Sequence, residues 1–199
     1  MKLTTYLVVL VVCGLPSLSF GSEKTKIDSI FDKKLGEVAL HYSPKNRLIW
    51  IDINSINKKI TLDKFEAGKN PELVGAEKNI KFITRKIVTE DGIDFIAVTY
   101  SHRTRSNDGT GGCGSGSEDY FSALKISSKK ISIIKKFLIQ SCTYNYLLDD
   151  NGGNSDSMPK TNEKNEIVFN WLTYPENDSG VIGYYNFTKN TLVIKSREN

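Results

Sequence analysis

A β-hairpin is predicted by the sequence Ile51-Asp-Ile-Asn-Ser-Ile-Asn-Lys-Lys-Ile-Thr-Leu62, in which two apolar strand ends flank a polar turn. Apolar residues alternate with polar ones on each side of a centre built from Asn, Ser and Lys. Alternation with period two is typical of a strand with one buried face, and Asn and Ser favour the turn between paired strands. The region around Ile51–Leu62 is therefore expected to be β-structure.

Two further stretches share this pattern, namely Leu124-Lys-Ile-Ser-Ser-Lys-Lys-Ile-Ser-Ile133 and Tyr184-Tyr-Asn-Phe-Thr-Lys-Asn-Thr-Leu-Val-Ile194. Such a weak internal repeat is typical of the blades of a β-propeller. The alternative is that any meander rich in Lys and Asn produces similar hairpins. Three copies at uneven spacing cannot close a propeller on their own.

The strand pattern continues through most of the chain, and only five prolines and no long helical pattern interrupt it. Eleven segments are rich in β-branched and aromatic residues: Val38–Tyr42, Leu48–Ile53, Lys59–Phe65, Phe82–Val88, Phe95–Tyr100, Tyr120–Ile126, Ile131–Ile139, Tyr144–Leu148, Ile167–Leu172, Val181–Tyr185 and Thr191–Ile194. Ser22–Lys34 has apolar residues at helical spacing and is predicted as an N-terminal arm or one short helix. We expect an all-β fold, with residues 22–199 forming a single domain of about ten or eleven antiparallel strands in a propeller-like or sandwich-like meander.

Residues 1–21 have the pattern of a secretory signal peptide: Lys2, an apolar run from Tyr6 to Leu15, and small residues at Ser19 and Gly21. The apolar run is shorter than the roughly 20 residues that span a bilayer. Cys13 follows Val12, where a lipoprotein would need a small residue, so we expect Cys13 to leave with the signal. The sequence thus predicts an exported, periplasmic protein with no membrane segment in its mature form.

The composition argues for an ordered domain and against a nucleic-acid partner. The formal net charge is +4, and it falls to +3 when Lys2 leaves with the signal. The lysines are scattered among acidic residues, which is typical of solvated strand faces and not of a basic binding patch. Hydrophobic residues make up 39% of the chain, with nine tyrosines and nine phenylalanines, so a packed core is expected.

Removal of the signal leaves two cysteines, Cys113 and Cys142. In an oxidising compartment an even pair is expected to form a disulfide. Closing a loop of about 30 residues would restrict the unfolded chain by roughly 3.6 kcal/mol in the chain-entropy model. A zinc site would need more ligands than His41 and His102 supply, so no metal and no cofactor are predicted.

Cys113 lies in the glycine-rich stretch Gly109-Thr-Gly-Gly-Cys-Gly-Ser-Gly-Ser-Glu-Asp-Tyr120. The nucleophile elbow Gly-x-Ser-x-Gly is absent, because Cys113 precedes Ser115 by two positions and Asp119 follows Ser117 by two. A phosphate-binding loop needs a lysine after its glycine, and none occurs between Arg105 and Lys125. A triad of His102, Ser115 and Asp108 can be drawn, but such sets occur by chance in many chains. We therefore predict that the protein is not an enzyme.

Two interpretations of the loop remain, a tolerated surface connection and a recognition loop. For recognition, small residues would let the backbone enter a narrow cleft, and a staple at Cys113 would lower the cost of ordering it. The predicted partner-binding residues are Gly111, Gly112, Gly114, Ser115, Gly116, Ser117, Glu118, Asp119, Arg103 and Arg105. Asp149–Ser157 also gathers carboxylates and amides, but it does not match a calcium-binding loop, and a solvated turn is expected there.

Gly112-Cys-Gly-Ser-Gly-Ser-Glu-Asp-Tyr120, followed by Gln140-Ser-Cys142, resembles a set of small exported β-rich bacterial proteins. In size and layout the chain is also similar to periplasmic immunity proteins of type VI secretion and to lysozyme inhibitors. This resemblance implies a protein that blocks the active site of a peptidoglycan-degrading enzyme, with a cell-wall hydrolase or secreted effector as its partner. The alternatives are a propeller-like module that binds a glycan or envelope component, and an unrecognised hydrolase that depends on His102.

Overall fold

The computed structural model describes residues 25–43, 46, 48–64, 80–84, 87–103, 117–127, 130–141, 144, 146–149, 159–175 and 180–197. These residues form fourteen β-strands in three antiparallel sheets, and their one helical element is a 3-10 turn at Asn54–Ile56. The predicted all-β, single-domain fold is confirmed. No helix within these ranges is long and apolar enough to cross a membrane.

Sheet 1 is built from the first four strands, each antiparallel to the one before it. Its strands are β1 (Thr25–Asp32), β2 (Gly36–Ser43), β3 (Leu48–Ile53) and β4 (Lys58–Lys64). Their order in space follows their order in the chain, because short turns can join only neighbouring antiparallel strands.

Sheet 2 contains the longest strands of the molecule and has the order β5-β7-β8-β9, with β6 also paired to β7. Its strands are β5 (Lys81–Phe82), β6 (Val88–Glu90), β7 (Ile93–Arg103), β8 (Ser117–Ile126) and β9 (Ile131–Ser141). The segment Phe82–Val88, predicted as one strand, is thus two short strands. Directly after β5, the Ile83 amide donates to the Ala97 carbonyl of β7 over 2.8 Å.

Sheet 3 has the order β10-β12-β13-β14, with β11 also paired to β12. Its strands are β10 (Leu147–Leu148), β11 (Lys160–Thr161), β12 (Ile167–Thr173), β13 (Val181–Asn186) and β14 (Thr191–Ser196). The described strands outnumber the predicted ten or eleven mainly because several of them are only two or three residues long. Segments of that length are too short to show a period in the sequence.

The three sheets stack with sheet 2 in the middle. Along β7, Ile96 and Val98 pack into one core with sheet 1, while Phe95 and Ala97 pack into a second core with sheet 3. Successive side chains of a strand point to opposite faces, so a strand that is buried on both sides has a continuous apolar run. This explains why Phe95–Tyr100 is apolar or buried at every position.

The three similar hairpins of the sequence occupy equivalent places in the fold. Ile51–Leu62 joins β3 to β4, Leu124–Ile133 joins β8 to β9, and Tyr184–Ile194 joins β13 to β14. Each is therefore the last hairpin of its sheet. Each sheet is built from consecutive strands of the chain, as a propeller blade is. The sheets stack face to face, as in a sandwich.

The prediction of an arm or short helix at Ser22–Lys34 is wrong, because Thr25–Asp32 is a strand paired with β2. A β-bulge accounts for the error. The pairing shifts register between Lys26 and Asp28, so one extra residue is inserted and both Ile27 and Ile30 pack towards the core. Two apolar residues three positions apart imitate helical spacing in a strand that is bulged at Ile27.

Candidate functional site

Most residues of the predicted site lie outside the described part of the chain. These are Arg105, Gly111, Gly112, Cys113, Gly114, Ser115, Gly116 and Cys142. The backbones of His102, Arg103 and Ser117 are described within strands, and so are Glu118 and Asp119 with their side chains. The Cys113–Cys142 disulfide and the contacts of the loop stay predictions. The structure describes the two strand ends between which the loop lies, and we call these ends the loop root.

The loop root is the end of the β7–β8 ladder, at Arg103 and Ser117. The two strands pair in one unbroken register from Asp94–Ile126 to Arg103–Ser117. Residues 104–116 therefore leave and re-enter the sheet at directly opposite positions. Opposed Cα atoms in an antiparallel pair are only about 4.5–5.5 Å apart. The loop is a hairpin connection with closely fixed ends.

This root belongs to the most deeply packed strands of the protein. Tyr100 and Ser101 are at most 1% exposed, and on β8 Phe121 and Ser122 are fully buried. Both faces of these strands are covered, one by sheet 1 and the other by sheet 3. A close-packed interior of this kind resists displacement. The ends of the loop thus leave from strands with close-packed interiors.

The two acidic residues at the root are engaged by the protein itself. The Tyr120 hydroxyl donates a 3.1 Å hydrogen bond to the Glu118 carboxylate. Burial and the adjacent Glu118 charge raise the pKa of Tyr120 to about 12. Asp119 is only 7% exposed. Glu118 and Asp119, which are predicted to bind a partner, thus also have contacts within the protein at the root of the loop.

The strand that leads to Cys142 lies beside the strand that receives the loop. β9 ends at Ser141, whose Cα is paired with that of Glu118 on β8. Ser141 also forms a two-way backbone bridge with Tyr146, with N–O distances of 2.9 and 3.0 Å. The residue before Cys142 is thus adjacent to the exit of the glycine-rich loop.

Sequence reasoning missed an aromatic cleft where β9 meets sheet 3. It has a volume of about 560 Å³ and is lined by Lys135, Phe137, Leu138, Tyr144, Tyr146, Trp171, Tyr174, Pro175 and Leu192. Residues of β9 and β12 line it together, although Leu138 and Trp171 are more than thirty positions apart in the sequence. A sequence pattern has no signal for contacts between residues this far apart in the chain.

The aromatic rings at the cleft support one another edge to face. Between ring centroids, Tyr174 lies 5.2 Å from Tyr146 and 5.2 Å from Trp171, with interplanar angles of 88° and 62°. Trp171 is fully buried, and its indole nitrogen donates to the Ile139 carbonyl over 2.7 Å. Such T-shaped contacts contribute about 0.5–1.5 kcal/mol each beyond burial. The wall of the cleft is therefore preformed.

A second cavity of about 570 Å³ lies over sheet 3, near Tyr184 and the turn at Asn162–Glu166. Two of its polar residues hydrogen-bond to each other within the turn. The Asn162 side chain donates to the Glu166 carboxylate and accepts a hydrogen bond from the Glu166 backbone amide. Of the segment Asp149–Ser157, only Asp149 is described, and it pairs with Arg197 over 2.7 Å. Among the described residues, no three His, Cys, Asp or Glu side chains group as metal ligands would.

No protein-family model, curated protein or solved structure matches this chain. The resemblance based on Gly112–Tyr120 therefore remains a prediction.

Proposed function

We propose that this chain is an exported, non-enzymatic inhibitor or immunity protein of the periplasm. In this proposal, residues 104–116 enter the active site of a peptidoglycan-degrading enzyme and block it. The observation that supports the proposal most is the loop root, where Arg103 and Ser117 end two strands that are buried on both faces. A loop whose ends are fixed loses less entropy when it binds than a free segment does.

The neighbouring cysteine fits this role. Cys113 lies four residues before Ser117, so an extended chain of that length reaches about 13–14 Å from the root. Cys142 directly follows Ser141, which is paired with Glu118 at the same root. A disulfide needs Cα atoms about 4.4–6.8 Å apart, and the described anchors permit that separation. The bond would tie the loop down close to its exit strand.

The proposed contacts with the enzyme come from Ser115 and Ser117, with Arg103 and Arg105 beside them. The backbone amides of the loop would complete the polar contacts inside the cleft of the enzyme. They are accessible because no side chain shields them at Gly111, Gly112, Gly114 and Gly116. In this account Glu118 and Asp119 hold the root. The absence of an elbow motif and of a phosphate-loop lysine in the sequence favours blocking over catalysis.

The test begins with capture of the partner from periplasmic extract, followed by an assay of wall hydrolysis. The double variant Ser115→Trp, Ser117→Trp should lose inhibition by at least about 100-fold, because bulky rings cannot enter a narrow cleft. The matched control is Ser127→Trp, at the exposed turn on the opposite end of β8, and it should inhibit like the native chain. Undiminished inhibition by the double variant would refute the proposal.

A propeller-like glycan-binding module is a second candidate, and the aromatic cleft is the observation that favours it. This candidate predicts that the purified protein sediments with peptidoglycan when no enzyme is present. The inhibitor proposal makes no such prediction.

A further inference from the structure

We propose that the aromatic cleft between β9 and sheet 3 binds a saccharide that carries a carboxylate group. This site is separate from the glycine-rich loop and goes beyond inhibition of an enzyme. It gives the glycan-binding alternative a specific ligand class, and it stands whether or not the loop inhibits a hydrolase.

The size and lining of the cleft fit a small organic ligand. Its volume of about 560 Å³ lies within the range of about 300–1,000 Å³ that is typical of small-molecule sites. Eight of the nine described lining residues are aromatic, aliphatic or proline, and the exception is Lys135. Tyr144 is 61% exposed. An exposed tyrosine ring beside a preformed aromatic wall offers a flat apolar surface with a polar edge.

These surfaces match a pyranose ring. One face of such a ring presents C–H groups that pack on aromatic rings, and its rim presents hydroxyls that need hydrogen-bond partners. Tyr144, Tyr146 and Tyr174 place both ring surface and phenol groups around the cleft. The exposed Tyr144 offers a sugar both a ring face and a phenol group.

The charge of the cleft selects an anion. Lys135 lines it, and none of the lining residues that the structure describes is acidic. Within the described part of the chain Lys135 forms no ion pair, unlike Lys136, which binds Asp63 over 2.8 Å. One cation fits one carboxylate, whereas nucleic acid needs a row of cations to neutralise its phosphates. The ligand class is therefore an acidic sugar.

The cleft also lies next to the root of the loop. Ser141 pairs with Glu118 at the root and bridges to Tyr146, which lines the cleft. A saccharide held there would place the loop beside the polymer to which the sugar belongs. The site that binds the cell wall and the loop that blocks a wall-degrading enzyme would then lie at the same edge of the molecule.

The experiment titrates the full mature chain with two matched pairs of probes, followed by NMR shifts and Trp fluorescence. N-acetylmuramic acid is paired with N-acetylglucosamine, which lacks its carboxylate, and galacturonic acid is paired with galactose. We expect the acidic member of at least one pair to bind about tenfold or more tightly than the neutral one, with shifts at Tyr144, Tyr146 and Tyr174. Equal binding of both members, or shifts located elsewhere, would overturn the proposal.

Variants separate this proposal from the inhibitor proposal. Lys135→Gln should abolish the preference for the acidic probe, and Tyr144→Ala should weaken both probes about fivefold or more. The control Tyr184→Ala, which removes a ring on the opposite face of sheet 3, should leave binding unchanged. The Ser115→Trp, Ser117→Trp variant should also bind the sugar normally. If Lys135→Gln keeps the full preference, the cleft does not recognise the carboxylate.

Discussion

Trp171 and Gly183 show how closely single residues are matched in the core of sheet 3. A Cβ atom added at Gly183 would lie 2.5 Å from Cζ3 and 3.0 Å from Cη2 of the Trp171 ring. Real Cβ atoms do not approach other heavy atoms so closely, and Trp171 is also fixed by its hydrogen bond to the Ile139 carbonyl. Glycine is required here by the neighbouring ring and not by a backbone conformation.

Gly183→Ala should therefore lower the free energy of unfolding by about 1–3 kcal/mol, the usual cost of overpacking a core. Urea denaturation followed by circular dichroism measures this change. In the background of Trp171→Phe, which lacks the two clashing atoms, the same substitution should cost clearly less. Equal costs in the two backgrounds would show that the ring is not the obstacle.

Tyr120 reports on the loop root through its titration. Burial and the Glu118 carboxylate raise its pKa to about 12, whereas the unfolded chain releases the proton near 10. Between these values the folded state holds more protons than the unfolded state, so the contribution of Tyr120 to stability falls as the pH rises. Ultraviolet difference titration of the native chain against Tyr120→Phe should isolate this late step.

Glu118→Gln should lower the pKa of Tyr120 but leave it above its ordinary value, because burial, the larger cause, persists. The same difference titration, made in the Glu118→Gln background, measures the shift. An unchanged pKa would show that Glu118 does not contact Tyr120 at the root.

At the scale of the element, β1 shows where the sequence pattern misleads. Strands rich in β-branched and aromatic residues, such as β3 and β12, could be predicted from their composition. β1 could not, because its bulge changes the spacing of Ile27 and Ile30 from two to three. The strand is fixed by pairing with β2 and by the Asp28 carboxylate, which accepts the Phe82 amide over 2.9 Å and so links sheet 1 to sheet 2.

Neighbouring residues of β1 provide a test of this strand. Ile30 is 6% exposed and Phe31 is 78% exposed. Ile30→Ala should destabilise the protein by about 2–4 kcal/mol, as loss of a buried aliphatic side chain does. Phe31→Ala should change the free energy of unfolding by no more than about 0.5 kcal/mol. Thermal and urea unfolding measure both, and a costly Phe31→Ala would contradict the observed direction of the strand.

At the scale of the whole molecule, two sheets pack on the opposite faces of a central sheet that carries the candidate loop. The sequence predicted the strands, the three hairpins and the position of the loop, because these depend on local pattern. It did not predict the stacking order or the aromatic cleft. Both depend on contacts between residues far apart in the chain, such as Phe137 and Trp171, for which local pattern has no signal.

The central claim is that a loop held by the β7–β8 root blocks a wall-degrading enzyme. Residues 104–116 can be replaced by Asn-Gly, which joins Arg103 to Ser117 as a tight two-residue turn between directly opposed strand ends. The β7–β8 register should survive, so circular dichroism should show an unchanged β-sheet spectrum. This control separates loss of the loop from loss of the fold.

The decisive measurement is the release of dye from labelled peptidoglycan by the captured partner enzyme, with the native chain or the loop-excised chain added at equal concentration. The account predicts that the native chain stops release at a one-to-one ratio and that the loop-excised chain leaves release at the rate of the enzyme alone. Full inhibition by the folded, loop-excised chain would contradict the account.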